Sequence, residues 1–179
     1  DVCSSDLPVL FGALLKHHGQ LGPAEIAGKR EWTYRQSLWL AREQGLSLRI
    51  PAAHPFNPLP LLRLAVSCDA QGQPNRHVCE RLFRHVWGEG LAADDPLRLH
   101  ALREQLQPIH SPEDAQVKER LRLATEDALA KGVFGVPTLA VDGLLFWGLD
   151  ALPMLRQYLD GDPWFRSADW QEADHWPVG

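Results

Sequence analysis

Cysteine is scarce in this chain. Three of its 179 residues are cysteine, Cys3, Cys68 and Cys79, and none stands in a Cys-x-x-Cys pair. Three thiols so placed make neither a disulfide framework nor a metal site. No metal is therefore expected, and disulfide exchange is disfavoured. Cys68 and Cys79 are expected to be buried as small hydrophobes, which suits a reducing cytoplasm. Positive charge is short too: 18 Lys and Arg face 23 Asp and Glu, for a net charge of -5. A nucleic-acid partner leaves a basic footprint, so none is expected. No apolar run approaches the roughly 20 residues that span a bilayer, so no membrane partner is expected either. The first residues lack the basic-then-apolar pattern of a secretory signal, and a cytoplasmic location is expected.

What is present falls into unequal parts. The segment DVCSSDL, residues 1–7, has no hydrophobic period. It reads as the in-frame translation of a short-read sequencing adapter, so it is expected to be non-native, and Cys3 with it. Residues 8–15, PVLFGALL, are an apolar run of strand length. Residues 17–28 read as a Gly-rich polar loop. TYRQSLWLAREQ, residues 33–44, is expected to form a helix burying Leu38 and Ala41, stopped by Gly45. LSLRI, residues 46–50, alternates as a short strand does. The next ten residues, PAAHPFNPLP, contain four prolines and forbid regular structure.

Helical patterns follow. Residues 61–68 carry an apolar face, and Val78, Leu82, Phe83 and Val86 share the face of another helix. Asp94-Asp95-Pro96 opens a third helix with a cap followed by proline. Ser111-Pro112-Glu113-Asp114 repeats that signal for a fourth, which would line up Val117, Leu121, Ala124 and Ala128. The last third changes register. FGVPTLAVDG, residues 134–143, puts a proline at the start of a strand, one of the few strand positions that tolerate the lost N–H donor. Asp142-Gly143 is a strong hairpin turn, residues 144–147 return, and residues 149–159 read as a closing helix. Trp164, Trp170 and Trp176 lie among charges in the tail, read as a surface strap in preference to a partner contact.

The set Val136-Pro137-Thr138, Asp142-Gly143, Phe146-Trp147-Gly148 and Asp150 resembles the C-terminal half of a thioredoxin-like fold with a helical insertion. With PVLFGALLKHHGQLGP and HPFNPLPLLRLA, the chain resembles the 2-hydroxychromene-2-carboxylate isomerases and the related kappa-class glutathione transferases, from about residue 8 to about residue 165. The fold class this implies is α/β, a thioredoxin-like domain with an inserted all-helical domain and without the first strand and helix. The parts are then residues 1–7, non-native; 8–57, the partial N-terminal thioredoxin-like part; 58–131, the helical insertion; 132–165, the C-terminal part; and 166–179, a tail.

The resemblance implies glutathione as cofactor. It implies a cis bond before Pro137, with the Val136 backbone pairing the cysteinyl moiety as an added strand would. It implies that Asp150 receives the γ-glutamyl ammonium. A carboxylate at a helix N-terminus is also favourable in its own right, so capping alone stays open. The family's usual polar neighbours are here Leu149 and Ala151, so at Leu149 only the backbone N–H remains to help. Gln20 falls where the family offers an amide to the ligand, and Lys29 or Arg30 could neutralise a carboxylate, although solvated roles are open for all three. His54 and Asn57 are candidates for the substrate pocket, with an exposed loop side chain and a turn-shaping residue as the alternatives.

The activity implied is glutathione-dependent cis–trans isomerisation in aromatic catabolism, by thiolate addition, rotation and elimination. The alternatives are a kappa-class-like glutathione transferase or peroxidase, or a non-catalytic binding module on the same scaffold. The expected partners are a small aromatic substrate and, as an option, a second copy in a homodimer. In the family a serine opening the first helix stabilises the thiolate, since a free thiol of pKa ~8.5 is little ionised at neutral pH. That serine is expected upstream of Pro8, within a missing β-α unit of roughly 30 residues, and Ser4 and Ser5 do not take its place. The chain is expected to be a fragment lacking full activity.

Overall fold

The computed structural model describes residues 6–175. The expectations on Cys3, Ser4, Ser5 and Trp176 fall outside them. The chain divides into two compact units, the first ending at Phe134 and the second beginning at Gly135.

The first unit is helical. It runs through α1 (Phe11–His17), a 3-10 turn (Pro23–Glu25), α2 (Ala27–Glu43), α3 (Leu59–Ser67), α4 (Arg76–Trp87), α5 (Pro96–Leu106) and α6 (Ala115–Ala130). Its centre is α3, whose Leu-Pro-Leu-Leu-Arg-Leu-Ala-Val stretch is apolar almost all round, as a helix covered on several sides must be. One side of α3 packs Leu61 and Leu64 against Val86, Ala93 and Leu102. The other packs Val66 against Val117 and Leu121 of α6. Each buried Leu and Val side chain among them contributes about 1.5–3 kcal/mol. Asn75 caps α4, its side-chain oxygen accepting from Val78 N–H at 3.0 Å. Asp95 caps α5, accepting from Leu97 and Arg98 N–H at 3.0 and 2.9 Å. Buried His85 is satisfied by Ala93 O at 2.9 Å from Nε2.

Several local expectations are corrected here. The apolar run at residues 8–15 is a helix from Phe11 onward. Phe11, Leu14 and Leu15 fall at helical spacing, and a short apolar run does not by itself separate strand from helix. Leu10 N–H donates to Thr125 Oγ1 at 3.1 Å, which ties this end to α6. Residues 17–28 are not a continuous loop, because α2 already starts at Ala27. Among the described residues, 46–50 pair with no strand: Arg49 N–H donates to Trp87 O at 2.7 Å, and the segment stays an extended connector. On α2 only Ala41 is buried, while Leu38 is exposed, as is Phe83 on α4. Ser111 does not cap α6. Its N–H donates to Asp114 Oδ2 at 3.1 Å in a turn that delays the helix to Ala115. Thr125, not anticipated, is buried on the inner face of α6. Cys68 and Cys79 are half-buried rather than buried, and burial pushes both thiols up, away from reactivity.

The second unit is an antiparallel hairpin with a helix laid on it. β1 (Thr138–Val141) pairs with β2 (Leu144–Trp147) in the register Thr138↔Trp147 to Val141↔Leu144. Asp142 and Gly143 have φ of 51° and 83°, as a two-residue hairpin turn matched to strand twist requires. After Gly148 comes a 3-10 turn (Leu149–Ala151), then α7 (Leu152–Leu159), a second turn (Pro163–Arg166), α8 (Ala168–Glu172) and a last turn (Ala173–His175). Leu139, Val141, Leu144 and Phe146 share one face of the hairpin and pack with Ala151, Leu155 and Phe165. Tyr158 of α7 donates to the turn carboxylate Asp142 Oδ2 at 2.9 Å. Of the tail tryptophans, Trp170 packs on this core and meets Phe165 edge-on at 5.0 Å, with Trp164 also against it. The described tail straps its own unit.

Candidate functional site

The sequence candidates fall into two assemblies, one in each unit. In the hairpin unit four of them meet at one end. Gly148 N–H donates to Pro137 O at 2.9 Å, which carries the ladder one step past Thr138↔Trp147. Continuing that register puts Val136 beside Leu149, at the end of the hairpin opposite the Asp142-Gly143 turn. Val136, Pro137, Leu149 and Asp150 are all exposed there. The Val136-Pro137 peptide is cis. Among the described residues Val136 pairs with no other backbone, so its N–H and C=O are presented like the edge of an unfinished strand. Leu149 opens the 3-10 turn, where the first N–H groups have no internal partner.

Two glycines hold this geometry. Gly148 has φ of 89°, and a Cβ there would lie 2.5 Å from Asp150 Oδ1, so only glycine lets the carboxylate fold back over the strand end. A Cβ on Gly135 would lie 2.4 Å from Trp147 Nε1, so the indole rests on bare backbone. Gly148, at the cap position of this helix start, has no side chain to cap it, and Asp150 stands in the first turn. Thr138, the hydroxyl next to Pro137, donates to Gly135 O at 2.7 Å and is already engaged. The end of the hairpin can therefore offer an extended ligand a backbone donor and acceptor, and a carboxylate to a cation.

In the helical unit, His54 is not a plain exposed loop side chain. Its Nδ1 lies 2.8 Å from the Tyr34 hydroxyl of α2. Its ring is ringed by Tyr34, Phe56 and Trp87 at centroid distances of 5.7, 5.9 and 5.4 Å, typical of tilted and edge-on aromatic pairs. Phe56 and Trp87 rest on the Leu61–Leu64–Val86 core, which makes the platform firm. Burial pushes the His54 imidazole below the ordinary histidine range. Asn57 shapes the turn: its Oδ1 accepts from Leu59 N–H at 3.1 Å. Gln20, Lys29 and Arg30 are exposed, Gln20 on the turn after α1 with its N–H donating to Leu15 O at 2.9 Å. Tyr34 and Trp87 were missed by sequence reasoning. Neither stands at a fixed spacing from His54, and no motif marks them. Among the described residues no group of His, Cys, Asp and Glu is arranged to hold a metal ion, and no helix is long and apolar enough to cross a membrane.

The profile of the DsbA-like thioredoxin domain family matches residues 8–160. A 2-hydroxychromene-2-carboxylate isomerase of Sphingobium xenophagum is 32% identical over a stretch covering 43% of this chain and 42% of that relative. The matched stretch thus spans less than half the length of that curated relative. The solved structure of selenomethionine 2-hydroxychromene-2-carboxylate isomerase superposes with a TM-score of 0.75 at 24% identity, covering 90% of this chain and 81% of that one. At that identity the likeness speaks to the fold.

Proposed function

The chain belongs to the DsbA-like thioredoxin domain family, and from that premise we propose that it is a glutathione-dependent cis–trans isomerase of the 2-hydroxychromene-2-carboxylate isomerase type, acting on small aromatic substrates in the cytoplasm. The observation that carries the reading is the hairpin end. An exposed Val136 backbone, unpaired among the described residues, and the Asp150 carboxylate stand at the same edge, suited to a short peptide with an ammonium at one end. The isomerase named among the relatives of this chain supplies the reaction class.

The residues at the hairpin end support glutathione as the ligand. Val136 N–H and C=O would pair its cysteinyl amide groups as a strand is added to a sheet edge. Asp150 would take the γ-glutamyl ammonium in a charge-assisted bond. The Leu149 N–H would hold a carboxylate oxygen. Bound glutathione supplies the thiolate nucleophile for addition to, and elimination from, a conjugated double bond. The chain's own residues hold the tripeptide extended and fix the direction of its thiol. Thr138, already donating to Gly135 O, is not assigned to activating that thiol. This reading gives docking, and no more, to the hairpin end.

The test is isomerisation of 2-hydroxychromene-2-carboxylate by the purified chain, followed by absorbance with and without glutathione, together with calorimetric titration of glutathione. Binding and glutathione-dependent turnover are expected. Turnover indifferent to glutathione, or neither binding nor turnover, contradicts the proposal.

A further inference from the structure

In the helical unit, α4 and α5 border a cleft that their packing does not close. On α4 it is lined by Arg81, Arg84 and His85, and on α5 by Arg98, Ala101 and Gln105. In each helix these residues follow the three- and four-residue spacing of a single face. Buried Leu102 also lines the cleft and belongs to the core under α3, so the base is firm. Ala101 is small enough to leave room. The cleft has a volume of about 200 Å³, below the ~300–1,000 Å³ typical of pockets for drug-sized ligands, so it suits a compact ligand.

The charge on this lining is one-sided. Three guanidiniums stand against one carboxylate, Glu89, in a chain whose net charge is -5. Like charges gathered in one place repel, and each arginine has a different hold on the protein. Arg98 takes Glu89 at 3.0 Å, donates to His85 O at 2.8 Å and also donates to Ala92 O. Its side chain is only 18% exposed, so this guanidinium is fixed, with two of its five N–H groups left over. Arg81 donates to the Gln105 side-chain oxygen, a neutral partner. The Arg84 guanidinium has no ion-pair partner within bonding range among the described residues. It meets Glu80 only at longer range, where Arg76 already holds that carboxylate at 2.6 Å. His85 adds no charge near neutral pH, because burial pushes its imidazole below the ordinary range.

We propose that the cleft between α4 and α5 is a binding site for a phosphoryl group, held by Arg81 and Arg84 from one helix and Arg98 from the other. Guanidinium groups pair with carboxylate and phosphate alike. A carboxylate is planar and is satisfied by one guanidinium fork. Guanidiniums carried on two facing helices suit the tetrahedral oxygens of a phosphoryl group, whose charge of about −1.5 to −2 at pH 7 also relieves the repulsion among three cations. The site uses none of the residues at the hairpin end and does not depend on the isomerase reading.

The test is calorimetric titration of the full chain, without glutathione and at low salt, with inorganic phosphate, glycerol 3-phosphate and acetate in turn. NMR of the amides and of the arginine Nε–H groups places the site. Saturable phosphate binding is expected, with shifts at Arg84 and Arg98 and at least tenfold weaker binding of acetate. Glycerol 3-phosphate binding as tightly as phosphate assigns the site to a phosphorylated small molecule, and tenfold weaker binding assigns it to the free ion. Arg84→Gln and Arg81→Gln are each expected to weaken phosphate about tenfold, the size of one lost hydrogen bond to a charged group. Ala101→Leu fills the cleft and leaves every charge in place. It is expected to abolish binding, and with it the rise in melting temperature that phosphate gives the unaltered chain. Absence of saturable phosphate binding, equal affinity for acetate, shifts confined to residues outside α4 and α5, or unchanged affinity in all three variants overturns the proposal.

Discussion

The two units reach a candidate site by different routes. At the hairpin end the chemistry is carried by backbone: an exposed Val136, a proline, and a carboxylate folded over Gly148. All of it comes from a stretch of fifteen residues, Val136 to Asp150, whose register is set by one two-residue turn. In the helical unit the chemistry is carried by side chains. Tyr34, His54 and Trp87 lie on three segments far apart in the chain, brought together because α3 and α4 share a core and the proline-rich loop is laid across it. A backbone site survives most side-chain changes and fails when turn or glycine geometry fails. A side-chain site fails when any one ring is lost.

The largest effect is expected at Phe146, which is 1% exposed at the centre of the hairpin core. Phe146→Ala leaves a cavity there, and a loss of about 3–5 kcal/mol is expected in urea unfolding. Loss of glutathione binding should follow, because the ladder that sets Val136 beside Leu149 is held by that core.

Asp150→Asn, at the end of the same hairpin, has a smaller expected effect. Glutathione affinity, measured by calorimetry, is expected to fall tenfold or more, corresponding to the ~1.5–3 kcal/mol of a charged hydrogen bond. If the carboxylate serves only the helix start, the variant instead loses ~0.3–1 kcal/mol of stability and binding is unmoved.

Asp95→Ala, in the helical unit, removes a cap that accepts two backbone bonds. A loss of ~1 kcal/mol is expected in the unfolding midpoint, with glutathione binding unchanged.

The smallest effect is on pH dependence. Burial holds His54 and His85 below the ordinary value of 6.5, an effect partly offset for His85 by its bond to Ala93 O. The unfolded chain takes up these protons first as pH falls, so the stability they contribute is complete above about 6.5 and drains as pH drops toward their folded values. The urea midpoint should therefore be lower at pH 5.5 than at pH 7.5. His85→Gln should flatten that slope, whereas the carboxylates held low, Glu113 and Glu119 among them, act only below their ordinary value of 4.5.

How much of this was legible in the sequence follows the same division. The hairpin, its turn and the closing helix could be read because Asp-Gly, the proline at the start of the first strand, and Gly148 are local signals with local causes. The caps at Asn75 and Asp95 act within three residues; Asp95 was read from the sequence, and the Asn75 helix from its apolar spacing. The run at residues 8–15 was misread because its apolar spacing fits either period, and what decides it is tertiary: Leu14 is buried and Leu10 N–H bonds to Thr125. Leu38 and Phe83 lie on helix faces that the sequence pattern alone made apolar and the packing left outside. His54 could be named as a candidate only through the resemblance that HPFNPLPLLRLA helps to carry. Tyr34 and Trp87 could not, since nothing in their own neighbourhoods distinguishes them from ordinary helix residues.

The most direct test of the central claim, that the hairpin end docks glutathione, is an amide NMR titration of the chain with glutathione. The account predicts saturable shifts at the amides of Val136, Leu149 and Asp150, weakened in Asp150→Asn. Glutathione shifts confined to other residues, or none at all, contradict it.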